Sequence, residues 1–527
     1  MIESIRIKNL RSFVDTGNVC LKKLNVLLGA NSSGKSTFLR SFPLFTQSIN
    51  KNLRGPISWF DSSYVDFGDF QTAKNRYVPQ EEPIVFSYQI KNPRSILRYY
   101  LYFDSVRFSI STKQLSDVNF SISYANDEIG TFVKEITIIL GSIDYHYSIN
   151  HRDDIVKLYI SGKECPLPKC RWDKSTMSSI IPAFIYDAVD KDKPQSVGSI
   201  LYKNIIDTAK KFCDGRLKHT EKLNPIIANW VYDKSQYLEF LQEYEKIHSF
   251  MKRARMWTVD TKQYTDLYNK VSYLYVYELI KVLNSEVSDF YNSCSYIAPL
   301  RAEANRYYRN QGLQVRDIDS NGRNLAEYIQ SLSKSQRMSY DNFCSKLLGC
   351  KIETQSQAGH TCIVLKGNSN EGDNLMDVGF GYSQILPIIT KIWHTAQIHK
   401  RIKENEYYRY MDSTSSVILM EQPELHLHPA MQAKLADSII DLVEDCNACM
   451  LESRDSDDTF RVIIETHSPT IINRIGRRIR EKKIKPEDVN ILLFTKNNKE
   501  TKLTHVAYND KGQLVDWPYG FFDPNED

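Results

Sequence analysis

The chain has 527 residues, 68 of them Lys or Arg and 64 Asp or Glu, so its net charge is only +4. Charged and apolar fractions of 25% and 42% lie near globular averages and exclude a disordered chain, a collagen-like chain and a polybasic coat for nucleic acid. At about 150 residues per domain the length allows three to four domains' worth of chain. No stretch approaches the ~18 uninterrupted apolar residues of a membrane span, and the opening MIESIRIKNLRSF has no signal-peptide apolar block. The expectation is a cytoplasmic protein with no membrane contact, its ten cysteines reduced. Glycine is scarce, 21 in all, so the close pair Gly29 and Gly34 stands out.

The first 28 residues read as two strands and a turn: Ile2, Ile5 and Ile7 with basic residues between them, then the buried-type run Leu24-Asn-Val-Leu-Leu28. Next comes Gly29-Ala-Asn-Ser-Ser-Gly34-Lys35-Ser36, which fits G-x-x-x-x-G-K-[ST] at every fixed position, with a helix expected over residues 36–42. Small residues let successive backbone N–H groups point inward, and the helix N-terminus adds its partial positive charge, so this segment suits a polyphosphate. The candidate ATP ligands are Gly29, Asn31, Ser32, Ser33, Gly34, Lys35, Ser36 and Thr37. Lys35 reaches the β and γ oxygens, Ser36 places its hydroxyl on Mg²⁺, and Thr37 faces the α-phosphate region.

From 84 to 160 the pattern is β, with turn residues between short alternating runs, and predicts an antiparallel subdomain. From about 175 to 292 apolar residues recur at helical spacing, which predicts a helical insertion. After Tyr296-Ile-Ala-Pro-Leu300, strands and helices alternate, as in a mainly parallel sheet covered by helices. The expected fold class is therefore α/β, a P-loop NTPase head with an antiparallel β-subdomain and an inserted helical domain. Its boundaries fall at 1–174, 175–292 and 293–527.

A phosphate loop needs an acid at the end of a neighbouring strand. Val417-Ile-Leu-Met420-Glu421-Gln422-Pro-Glu424 supplies Glu421 as a candidate Mg²⁺ ligand beside Ser36, and a third strand ends in Glu465-Thr-His467-Ser-Pro. In company with the two preceding motifs, His467 is a candidate phosphate sensor.

The order of the phosphate loop, Asp377-Val-Gly379-Phe-Gly381-Tyr-Ser383-Gln384, ILMEQPELHLHP and ETHSP resembles the ABC/SMC-like AAA ATPases related to overcoming-lysogenisation and RecF-type proteins. IxxIxIKNLRSF, YIAPLRAEANRYY and WPYGFFD resemble the standalone ATPases of bacterial defence operons, and among these the PtuA-like subunit of Septu and some retron systems. The likeness covers about 1–75 and 295–527. It implies an ATP sandwiched between two heads, with Gly379, Gly381, Ser383 and Gln384 capping the γ-phosphate in trans, hence a homodimer or higher oligomer. It also implies an antiviral sensor-regulator controlling a separately encoded HNH-type nuclease, in the retron version together with a reverse transcriptase and its RNA–DNA hybrid. The alternative is a RecF/SMC-like DNA-repair ATPase.

One residue departs from the family pattern: Gln422 stands where a second Glu usually polarises the attacking water. A neutral amide accepts a proton poorly, so hydrolysis should be slow unless Glu424, His467 or a partner compensates. The amide marks either an engineered trap of the ATP-bound dimer or a natural ATP-gated scaffold.

The remaining signals read as structural or stay open. Cys446/Cys449 and Cys165/Cys170 lack second halves at zinc spacing and read as free thiols, and His426 and His428 read as a turn. Seven basic residues between Arg474 and Lys485 fit several nucleic-acid phosphates or a solvated helix face equally. Tyr264, Tyr268, Tyr273, Tyr275 and Tyr277 read as packing, and Lys252, Arg253 and Arg255 keep nucleic acid open as a partner.

Overall fold

The computed structural model describes residues 2–91 except 50, 52, 54 and 63; 100–109 except 104 and 105; 117–172 except 142 and 151–154; and 180–186 except 182 and 183. It continues with 197–213, 220–299, 301–309, 315–367, 372–404, 416–451, 459–515 except 498, and 517. Most of WPYGFFD and the side chains of Cys165 and Cys170 lie outside the described residues.

The nucleotide end is built on a sheet whose strands run in the order Cys294–Ile297, Val417–Glu421, Arg461–Glu465, Leu24–Gly29, Val489–Lys496, Thr501–Tyr508 and Leu514–Val515. The first five are mutually parallel; Thr501–Tyr508 pairs antiparallel with Val489–Lys496, and Leu514–Val515 antiparallel with Thr501–Tyr508. Strands buried on both faces read as unbroken apolar runs, and VILM and VII are such runs. Alternate residues enter two different cores. Leu27, Val417, Leu419, Ile463 and Phe494 face one; Val26, Leu28, Ile418, Met420 and Ile464 face the other.

The second large sheet is antiparallel and begins with Ile2–Leu10, which pairs Ile84–Lys91. The amino-terminal region holds four strands rather than two, since Phe13–Asp15 and Val19–Cys20 both fold back on the first. The sheet continues past residue 174: Phe184–Tyr186 pairs Lys163–Trp172. Among the described residues the helical part begins at Val197 and ends with the long helix Lys262–Asn292. It is not a separate body. Tyr264, Tyr268, Tyr275 and Tyr291 belong to the same apolar core as Phe45, Phe86 and Ile138.

The helix after the phosphate loop runs from Lys35 to Ile49, well beyond residue 42, even though Pro43 lies inside it. An internal proline costs roughly 3 kcal/mol. Burial outweighs it: Phe45 stacks on Tyr291 with centroids 4.6 Å apart and meets Phe86 edge-on at 4.7 Å. No described helix is long and apolar enough to cross a membrane.

Candidate active site

The strand Leu24–Gly29 is buried throughout and delivers the phosphate loop to the helix starting at Lys35. Gly29 and Gly34 have φ of +153° and +103°. A Cβ on Gly29 would stand 2.4 Å from the Phe494 carbonyl, and one on Gly34 2.7 Å from Ser12 Oγ. Both positions therefore exclude any side chain. Asn31 and Ser32 are exposed, Thr37 is half-buried, and the hydroxyl of buried Ser33 has no hydrogen-bond partner. Lys35 is buried and donates to the carbonyls of Gly29 (3.0 Å) and Ala30 (2.8 Å). Burial lowers its pKa, opposed by Glu465, Glu421 and Glu424.

Glu421 pairs Glu465 in register on adjacent parallel strands, so both side chains leave the same face. Their surroundings differ. Glu421 is clamped: Arg40 donates to its two oxygens at 2.6 and 2.9 Å and the Tyr296 hydroxyl at 2.7 Å. Glu465 Oε1 accepts from Ser36 Oγ at 2.9 Å and lies 3.9 Å from Lys35 Nζ, whereas its Oε2 has no partner. The Glu465 carboxyl is 2% exposed; burial, and then the charge of Glu421, push its pKa up to about 7.

The loop beyond the acid strand is strained. Gln422 has φ +44°, a left-handed conformation that a non-glycine residue keeps only when its surroundings impose it; its N–H donates to the Glu465 carbonyl at 2.8 Å. Glu424 is buried, its Oε1 accepts from the His467 N–H at 2.7 Å, and its Oε2 is unpartnered. Burial raises the Glu424 pKa. His467 Nε2 likewise lacks a partner, and burial followed by the Lys35 charge lowers its pKa, which favours neutral imidazole. Beside this loop Arg301 is 5% exposed, makes one bond to the Ala298 carbonyl at 3.2 Å, and leaves Nε and Nη2 unpartnered. Burial lowers its pKa to about 10, against the charge of Glu424.

The fold thus gathers Lys35, Ser36, Glu421, Gln422, Glu424 and His467 at the carboxyl ends of neighbouring strands. It adds Glu465, Arg40, Tyr296 and Arg301, which sequence reasoning passed over. Two of these had signals: Glu465 occupies the same strand-end position as Glu421, and Arg40 lies four residues after Ser36, on the same helix face. Arg301 lies in YIAPLRAEANRYY, a segment read for its resemblance and not for a role of this side chain.

The segment expected to act in trans lies at the start of the helix Phe380–Glu404. Ser383 and Gln384 are buried, with Ser383 Oγ bonded to the Phe380 carbonyl at 2.7 Å. Gly379 and Phe380 are exposed. A Cβ on Gly381 would stand 3.0 Å from the His426 carbonyl, a close approach that only glycine permits comfortably.

Within the basic run, Arg474 and Arg478 pair with Asp437, and Arg477 pairs with Glu481. His426 packs edge-on against Phe380, and among the described residues no group of three or more His, Cys, Asp or Glu is arranged to hold a metal by itself.

A glycine-hinged phosphate cradle between a buried parallel strand and a helix, faced by acids on the next two strands, defines a P-loop ATPase. The chain belongs to the AAA ATPase domain family, whose model matches residues 1–472. Among solved structures it is similar to the Smc head domain bound to the C-terminal domain of ScpA from Pyrococcus furiosus (9% identity, 96% of each chain covered, TM-score 0.36). It is also similar to the SMC head domain from Thermotoga maritima (9% identity, 95% of this chain and 98% of that one, TM-score 0.32). No curated protein matches the chain significantly.

Proposed function

We propose that this ATPase is a slow, ATP-gated switch in which bound nucleotide matters more than rapid turnover. The observation that carries the reading is Gln422, which sits in a strained turn against Glu465 where a proton-accepting acid is expected. Lys35 and Ser36 hold the phosphates and Mg²⁺, together with the acids at the ends of the neighbouring strands. Mg²⁺, when bound, offsets phosphate charge and polarises the γ-phosphoryl group. Gln422 orients water without taking its proton, while Glu424 and His467 are the buried groups left for that task.

In this reading two heads close on ATP, with the segment of Gly379, Gly381, Ser383 and Gln384 facing the partner head. Closure restrains or releases a separately encoded HNH-type nuclease of an antiviral complex, which the sequence resemblance to Septu and retron subunits supports. Lys35→Ala should weaken ATP binding on the order of 100-fold, since a charge-assisted contact contributes about 2–3 kcal/mol. Unchanged affinity overturns the nucleotide site. Brisk, DNA-stimulated hydrolysis without ATP-dependent nuclease binding overturns the switch in favour of a RecF/SMC-like repair role.

A further inference from the structure

We propose that Arg301 contacts the γ-phosphate of ATP bound to the same chain, so that the site answers to a triphosphate rather than a diphosphate. This inference rests on the ATP reading above and assigns that site a further ligand.

The first ground is the free side of the guanidinium. Arg301 is 5% exposed, and its Nη1 donates to the Ala298 carbonyl. Nε and Nη2, which form one side of the planar fork, are buried without a hydrogen-bond partner. Arg40 uses that same side on Glu421, and Arg474 uses it on Asp437. Such a fork matches two oxygens of a carboxylate or a phosphate.

The second ground is the neighbourhood. Glu424 is the acid whose charge bears on Arg301, yet no hydrogen bond joins the two. Glu424 Oε1 accepts from the His467 N–H, while Glu424 Oε2 and His467 Nε2 are themselves unpartnered. A buried charged group without a partner is costly. Open polar atoms on three side chains around one loop mark a place where an anion and its water complete the network.

The third ground is position. Cys294–Ile297 pairs in parallel with Val417–Glu421, Ile297 opposite Met420, so the chain leaves both strands at the same end of the sheet. The backbone around Arg301 is pinned on either side. The Ala298 N–H donates to the Ser320 carbonyl at 2.9 Å, and the Ala302 N–H to the Asn321 carbonyl at 2.8 Å. Two strands, Val417–Glu421 and Arg461–Glu465, separate this edge strand from the phosphate-loop strand, and each spacing is about 4.8 Å. A phosphate loop holds the α- and β-phosphates on its own N–H groups. The part of the nucleotide that extends toward Arg301 is therefore the γ end.

An arginine kept only to neutralise Glu424 would treat both nucleotides alike, and binding measurements on the full-length chain separate the two roles. The probes are a fluorescent, non-hydrolysable ATP analogue and the matching ADP analogue, each titrated at saturating Mg²⁺. Arg301→Gln should weaken the ATP analogue about tenfold to 100-fold, the loss expected for a hydrogen bond to a charged group. The ADP analogue should change less than about threefold. Arg301→Lys restores the charge without the fork and should weaken the ATP analogue less than Arg301→Gln does. If Arg301→Gln does not fold, Arg301→Lys must still weaken the ATP analogue more than the ADP analogue. Equal weakening of both analogues, a larger loss for the ADP analogue, or no loss for the ATP analogue overturns the assignment. Failure of the parent chain to bind either analogue overturns the ATP reading instead, so the two failures are distinguishable.

Discussion

The carboxyl end of the parallel sheet and the tyrosine-rich body beneath it treat buried polar atoms in opposite ways. In the body, several buried tyrosine hydroxyls are bonded: Tyr88 and Tyr291 bond each other at 3.0 Å, and Tyr237, Tyr268 and Tyr275 donate to the carbonyls of Ile226, Tyr232 and Ile227 at 2.6–2.7 Å. Around the phosphate loop, Ser33 Oγ, Glu465 Oε2, Glu424 Oε2, His467 Nε2 and two nitrogens of Arg301 have none. A buried group without a partner costs about 1–3 kcal/mol. Several such costs in one place are tolerated where a ligand completes the network.

The largest effect that tests this contrast belongs to the body. Tyr291 is 1% exposed, stacks on Phe45, bonds Tyr88 and offers its carbonyl to Thr46 Oγ1 at 2.8 Å. Tyr291→Ala should cost about 3–5 kcal/mol of stability in urea unfolding, as truncation of a buried aromatic does. A loss under about 1 kcal/mol would break the picture of a tightly supported body.

At the site the expected effect is on rate. Gln422→Glu restores an acid at the strained turn and should raise ATP turnover on the order of 100-fold, the lower part of the range for a positioned base. Its stability should stay near the parent value. Equal turnover in both proteins would mean that Glu424, His467 or another group already takes the proton.

The contrast also explains what could be read from the sequence. The phosphate loop was legible because its chemistry is local: Gly29, Gly34, Lys35 and Ser36 are fixed by spacing. The acid strands were legible because burial on both faces leaves unbroken apolar runs ending in a carboxylate. Glu465 was overlooked because its importance comes from register against Glu421 and from the Ser36 hydroxyl, which lies 429 residues away in the chain. Helix spacing puts Arg40 on the Ser36 face, but only folding brings it and Tyr296 to Glu421. The helical segment reads as an inserted domain, because amphipathic periodicity reports that a face is buried, not what buries it. In the fold Tyr291 packs on the phosphate-loop helix.

The smallest predicted effect sharpens the comparison from a titrating group in the helical layer. His394 is mostly buried, shares a 2.6 Å hydrogen bond with the Tyr328 hydroxyl, and has its other ring nitrogen 3.6 Å from Asp317. Burial lowers its pKa; Asp317 opposes that, while Lys391 and Arg401 reinforce it. The folded state therefore keeps a neutral ring at pH values where the unfolded chain, with an ordinary pKa near 6.5, takes up a proton. Since the unfolded state binds more protons, stability is present above pH 6.5 and is lost as pH falls below it. Between pH 7 and 5.5 the loss should be about 1 kcal/mol. Urea unfolding at the two pH values measures it, with His394→Phe as the reference in which that increment disappears whatever its own baseline stability. An unchanged pH increment in His394→Phe would assign the acid sensitivity to other groups.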